Sequence, residues 1–159
     1  MNDASTLILP QLAPVYDALW PAAAALLRAV VGLALVPHAL RFSFGCFPNS
    51  GSRALSIGAL AAILERSGYR PGKLWAVVTI LIEFIAGPLL ALGLFTRPAA
   101  LIVFIFLLLA AIDHGRNDGY FWNTLGFEYP FLWAVAALVF VVCGGGLWSL
   151  DHLLIGREF

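Results

Sequence analysis

Charged residues are scarce in this chain. Lys, Arg, Asp and Glu make up 11% of its 159 residues, whereas hydrophobic residues make up 62%. Ordinary soluble domains carry about 25% charged residues, so this sequence cannot cover a surface that faces water. The mean hydropathy of +0.93 agrees with that conclusion. The shortage of charge excludes a soluble globular domain and predicts a protein whose solvent is lipid.

An excess of basic charge is also missing. Nine basic residues balance nine acidic ones, and the formal net charge is +0. A nucleic-acid-binding protein needs a basic surplus to neutralise phosphates. We therefore expect no nucleic-acid partner. The lipid bilayer is the first expected partner, and other subunits of a membrane complex are the second.

Cysteines and metal-ligand spacings are equally sparse. The two cysteines, Cys46 and Cys143, lie far apart and form no CxxC motif. Thiol-redox chemistry favours paired cysteines with a lowered pKa, so we predict two unlinked thiols. No HxxxH or ExxH spacing occurs among the histidines and acids, so no metal site is predicted. No covalently bound cofactor is expected.

The chain does contain long apolar segments. A helix that crosses a membrane needs about 20 predominantly apolar residues. They predict an all-α integral membrane four-helix bundle with a short interfacial or re-entrant helix in the first loop. The predicted spans are approximately Trp20–Leu40, Leu74–Phe95, Ala99–Ile112 and Phe131–Val142, and the short helix is Ala54–Leu64. Residues 1–19 are predicted to be a polar lead-in, 20–151 the bundle and 152–159 a tail.

One carboxylate, Glu83, lies near the middle of the second predicted span. Inserting an acid at that depth costs about 2.5–3.5 kcal/mol of free energy, so we expect it to have either an interacting partner or a functional role. Arg28 lies at comparable depth on the first span and is the predicted partner. An ion pair that locks two helices and a proton or quinone-headgroup site both remain open. Pro88 is expected to kink the helix one turn beyond the acid.

A second set of polar residues should share one face of the membrane, at the ends of three spans. It consists of His38, Asp113, His114 and Glu128. A carboxylate–imidazole cluster can relay protons near neutral pH, and the alternative is a solvated rim of loops. The candidate residues for a quinone or proton site are Arg28, His38, Glu83, Asp113, His114 and Glu128. Catalytic residues stay unassigned.

Short motifs spread from Arg28 to Asp151 resemble the DoxX family of small four-helix membrane proteins of bacteria and archaea. The matching pieces are Arg28 with Gly32, Pro37-His38-Ala39, Glu83 with Gly87, the run from Gly93 to Ala100, Gly119 to Trp122, Gly126 to Pro130, Gly144 to Gly146, and Ser149 to Asp151. Two positions depart from the family pattern. Ala39 stands where the family has Gly, and Arg41 is the nearest cation where the family has Lys.

The resemblance implies a function only in outline. The family is named after a subunit resembling that of a thiosulfate:quinone oxidoreductase, and relatives are associated with membrane oxidoreductase complexes. The implied protein is a small subunit of a quinone-linked redox or electron-transfer complex in a prokaryotic cytoplasmic membrane, with quinone as its cofactor. A non-catalytic anchor or assembly subunit is the alternative. A small transporter is the third hypothesis, but no inverted repeat supports it.

Overall fold

The computed structural model describes residues 8–51 and 53–157, and every regular element in these ranges is helical. The helices are α1 Ala13–Leu33, α2 Val36–Phe44, α3 Ile57–Arg66, α4 Gly72–Leu81, α5 Gly87–Leu92, α6 Thr96–Asn117, α7 Glu128–Cys143 and α8 Leu150–Ile155. A π-helical turn, Ile82–Ala86, joins α4 to α5, and short 3₁₀ turns lie at Pro10–Leu12 and Trp122–Thr124. The all-α prediction is confirmed.

The first span begins earlier and bends more than the sequence predicts. Helix α1 starts at Ala13 rather than Trp20, with Pro14 in its first turn, where a missing N–H costs nothing. The predicted lead-in is therefore wrong for residues 13–19, and its residues 1–7 lie outside the described ranges. The helix breaks after Leu33 and restarts as α2 with Pro37 in the first turn.

The second span is a continuous helical rod from Gly72 to Leu92 with a mean hydropathy of 2.1. Its middle turn is π-helical, and that turn ends just before Pro88. A proline removes a helical hydrogen bond, and a π turn is one way in which a helix absorbs such a disruption. The π turn contains Glu83 and ends before Pro88, and the kink one turn beyond the acid stays a prediction.

Three helical segments are long and apolar enough to cross a membrane: Pro10–Phe44, Gly72–Leu92 and Thr96–Asn117. The fourth predicted span corresponds to α7, which is apolar but has only 16 residues. Large hydrophobic side chains point outward along these helices, as Leu26 (67% exposed) and Val142 (67% exposed) show. A surface of this kind suits lipid rather than water.

The core is built by close helix crossings. Gly32 of α1 lies so close to α5 that a Cβ there would come within 2.6 Å of the Ala91 nitrogen and would also meet the Gly87 carbonyl. Small residues at such crossings let two backbones approach. The buried side chains between α1, α5, α6 and α7 include Val31, Leu90, Val103 and Phe140.

The predicted short helix is present as α3, shifted to Ile57–Arg66. Ser56 caps it by accepting a hydrogen bond from the Ala59 amide (3.2 Å). Its inner face packs on α4, where Gly72 lies against the Ala61 carbonyl. The buried cluster there also includes Phe42 of α2. Helix α3 therefore holds α2 and α4 together at one end of the bundle.

Candidate functional site

Two polar clusters lie at opposite ends of the bundle. The Glu83 cluster consists of Glu83, Arg41, His38 and His114, and it lies toward the loops that precede α3 and follow α6. The Asp151 cluster consists of Asp151, Thr96 and Arg28, and it lies where α5 turns into α6. The end of the bundle that carries the Glu83 cluster is called the loop face below.

Glu83 is the deepest ionisable group of the first cluster. It lies in the π turn and is 3% exposed. Its Oε2 atom is buried and has no hydrogen-bond partner among the residues that the structure describes. A buried polar atom without a partner is costly, of order 1–3 kcal/mol, and such exceptions call for an explanation. Single π turns are frequent at functional sites.

Arg41 supplies the matching donor. Its Nη2 donates to His38 Nδ1 (2.9 Å) and its Nη1 to the Ser50 hydroxyl (3.4 Å). Its Nε is buried and unpaired. The charges of Arg41 and Glu83 interact, yet within residues 8–51 and 53–157 no salt bridge or hydrogen bond joins them. The buried Nε of Arg41 and the buried Oε2 of Glu83 therefore both stay without a hydrogen-bond partner among the described residues, although the two charges interact.

The two histidines form the outer edge of this cluster. His38 is exposed, and His114 has 41% of its side chain exposed. The imidazoles interact electrostatically without a direct hydrogen bond. His114 Nδ1 donates to the Leu125 carbonyl (2.5 Å) and lies 3.5 Å from Asp118. Exposure thus decreases from the histidines through Arg41 to Glu83, so this polar cluster reaches the surface at the loop face and is buried at Glu83.

At the opposite end of the bundle, Asp151 holds a turn together. It is fully buried and accepts hydrogen bonds from the Phe95 amide (2.7 Å), the Thr96 amide (2.8 Å) and the Thr96 hydroxyl (2.7 Å). A carboxylate in this position caps the N-terminus of α6 and complements its dipole. Phe95, which precedes α6, has a left-handed backbone conformation, with φ of 50°.

Arg28 belongs to this second cluster and not to the first. Its guanidinium donates to the Gly145 carbonyl, to the Trp148 carbonyl (2.6 Å) and, at 3.5 Å, to the Ala91 carbonyl. Ala91 lies roughly 12 Å along the helix from Glu83, at 1.5 Å per residue. The predicted Arg28–Glu83 pair is therefore wrong, because the antiparallel helices place Arg28 opposite the end of α5.

The other predicted site residues have local partners. Asp113 accepts hydrogen bonds from the Asn117 side chain, at its carbonyl (2.8 Å) and at its carboxylate (3.4 Å). Glu128 accepts one from the Trp122 amide (3.1 Å) and so braces the aromatic loop before α7. Of the six predicted residues, His38 interacts electrostatically with His114, and Glu83 is connected to His38 only through Arg41. In the described part of the chain, no group of three or more His, Cys, Asp or Glu could hold a metal ion.

Arg41 was not among the predicted site residues. The sequence did contain a signal, because His38 and Arg41 are three residues apart, and such residues are neighbours on one helix face. No comparable sequence pattern predicted the π turn.

The fold and these clusters define an all-helical integral membrane protein with buried polar groups enclosed by apolar helices. Comparison with protein families then identifies it more closely. The DoxX family model matches residues 23–116, which is more than half of the chain, and the chain belongs to the DoxX family. Comparisons with curated proteins and with solved structures give no match.

Proposed function

We propose that this protein is the small membrane subunit of a quinone-linked redox complex in a prokaryotic cytoplasmic membrane, and that a quinone or quinol headgroup binds between Glu83 and Arg41. The observation that supports the proposal is the pair of unpaired buried atoms, Glu83 Oε2 and Arg41 Nε. A quinol hydroxyl can donate to the carboxylate oxygen. A quinone carbonyl can accept from the guanidinium N–H.

The residues fit such a ligand in both polarity and surroundings. The carboxylate and guanidinium interact but do not satisfy each other, so an oxygen-bearing ring placed between them would complete both sets of hydrogen bonds. The helices that carry Glu83 and Arg41 are apolar, as a ring with a lipid tail requires. A quinone held by Glu83 and Arg41 would supply two-electron redox chemistry, for which a redox-active partner subunit would be the electron donor or acceptor.

Glu83 and Arg41 then have separate tasks. Arg41 orients the headgroup, and its own position is fixed by His38 and Ser50. Glu83 holds or accepts the proton of the ring hydroxyl, at the depth where water is excluded. The π turn sets the angular position of Glu83 on the rod, and the charge of Glu83 interacts with that of Arg41 on α2.

The first prediction concerns Glu83→Gln. A hydrogen bond to a charged group exceeds a neutral one by about 1–1.5 kcal/mol, so a short-chain quinol should bind about tenfold more weakly to the variant. The oxidised form should lose less affinity, because its carbonyls accept from Arg41. Binding is measured by equilibrium dialysis of the protein in lipid nanodiscs, with the short-chain quinone in each redox state.

Glu65→Gln is the matched control, because Glu65 is exposed on α3. It should leave both affinities unchanged. Native purification provides the second arm, with mass spectrometry of lipophilic ligands and co-eluting proteins. Stoichiometric partner subunits without any quinone, or equal quinol affinity in Glu83→Gln and wild type, would contradict the proposal and favour a non-catalytic anchor.

A further inference from the structure

A broad, open depression lies at the loop face, apart from the Glu83 cluster. Its volume is about 620 Å³, and it is lined by Ala62, Glu65 and Arg66 of α3 and by Arg70, which lies in the turn before α4. Small-molecule sites have volumes of roughly 300–1,000 Å³ and mostly apolar walls. This depression has the volume but is lined mainly by charged side chains, so its ligand must present a charged group.

The depression lies at the level of the lipid headgroups. The rod Gly72–Leu92 has 21 residues and, at 1.5 Å per residue, spans roughly 30 Å, which is the thickness of the hydrocarbon core. Gly72 therefore lies close to the membrane surface. A Cβ at Gly72 would come within 2.9 Å of Glu65 Cβ, so the end of α3 lies at the same level as the start of the rod.

Two aromatic residues beside Arg70 agree with this level. The rings of Tyr69 and Trp75 meet edge to face, with their centroids 5.9 Å apart. Tyr69 is half-buried, and Trp75 is exposed. Tyrosine and tryptophan concentrate at the membrane–water interface, because their rings are apolar and their N–H and O–H groups are polar. Arg70 is thus flanked by residues that are typical of the headgroup region.

The charges that line the depression match a phosphodiester. Arg66 uses its Nε to donate to the Ala62 carbonyl (3.2 Å). Among the described residues, neither the Nη atoms of Arg66 nor the guanidinium of Arg70 has a hydrogen bond or a salt bridge, and Glu65 pairs with neither. Two arginines and one glutamate leave a net charge of +1, and a phosphodiester carries one negative charge. Guanidinium groups bind phosphate oxygens through paired N–H donors.

We infer that this depression binds the headgroup phosphate of an anionic glycerophospholipid in the leaflet at the loop face. Arg66 and Arg70 donate to the phosphate oxygens. The acyl chains lie against the exposed apolar side chains of α4, such as Leu74 (54% exposed) and Val77 (45% exposed). A soluble phosphate would make the same polar contacts but not these apolar ones. The inference is independent of the proposed function, because none of these residues belongs to the Glu83 cluster.

The test titrates the purified protein in detergent with phosphatidylglycerol, and native mass spectrometry measures the Kd of the first bound lipid. Phosphatidylcholine should bind more weakly, because its ammonium group cancels the charge of its phosphate. A basic residue near an anionic lipid surface is worth about fivefold in affinity. Arg66→Gln and Arg70→Gln should therefore each weaken phosphatidylglycerol binding about fivefold, and the two together about 30-fold. Both side chains are exposed, so the stability of the protein should not change.

Arg116→Gln is the matched control, because Arg116 is exposed at the loop-face end of α6 and does not line the depression. It should change the Kd less than about twofold. An equal loss in Arg116→Gln and Arg70→Gln would overturn the inference, because attraction would then be spread over the whole face. Equal affinity for phosphatidylcholine would also overturn it. Displacement of the lipid by inorganic phosphate at the same concentration would assign the depression to a soluble anion instead.

Discussion

Replacing Asp151 by alanine is expected to lower the free energy of unfolding by about 3–5 kcal/mol. The change removes three hydrogen bonds and leaves the Phe95 amide and the Thr96 amide and hydroxyl without their acceptor in a buried turn. It also removes the negative charge at the N-terminus of α6. The measurement is thermal or denaturant unfolding of the purified protein in one fixed lipid or detergent.

Asp17→Ala is the control, because Asp17 is exposed on α1, and it should change the stability by less than about 0.5 kcal/mol. Asp151→Asn should give an intermediate loss, since the amide keeps one acceptor oxygen. If Asp151→Ala and Asp17→Ala lowered the stability equally, the three hydrogen bonds could not be what holds the α5–α6 turn.

The Asp151 cluster gives a physical reason for several of the family motifs. The run from Gly93 to Ala100 and the segment from Ser149 to Asp151 are far apart in sequence but meet in this turn. A Cβ at Gly93 would come within 2.7 Å of both the Arg28 guanidinium carbon and Ser149 Cβ. These two family motifs therefore stabilise the turn between α5 and α6, and they give no information about the ligand.

The fold could be predicted because apolar length alone marks the membrane helices. The helix boundaries could not be predicted from the sequence, because a proline can either end a helix or lie in its first turn. Pro14 and Pro37 both lie in first turns, where the missing N–H is tolerated. As a result, α1 begins before its predicted start, and the single first span becomes two helices.

The candidate site could be predicted only in part, because helix register is not visible in one sequence. Glu83 is recognisable in the sequence as a buried acid. Its neighbours depend on the axial position of α1 and α2 relative to the second span. The contact of Gly32 with Gly87 and Ala91 fixes that register. This register places Arg28 of α1 beside the end of α5. Arg41, which lies on the next helix, α2, is the residue whose charge interacts with Glu83.

Gly32→Ala should therefore lower the free energy of unfolding by about 3 kcal/mol, the upper part of the usual range for overpacking. The added Cβ would meet backbone atoms, with the Ala91 nitrogen 2.6 Å away, and would lie 2.8 Å from Ala91 Cβ. No flexible side chain can give way at this point, so the two helices must separate or slide. Unfolding in the lipid or detergent used for the Asp151 variants measures the loss.

Gly58→Ala makes the same chemical change where nothing lies within 4 Å of the new Cβ. Because alanine favours a helix more than glycine does, by up to about 1 kcal/mol, this control should be neutral or stabilising. Opposite signs for one substitution at two helical glycines would isolate the effect of the α1–α5 contact. Equal, small effects would show that the helices can slide, and the register that brings Arg41 to Glu83 would then need another cause.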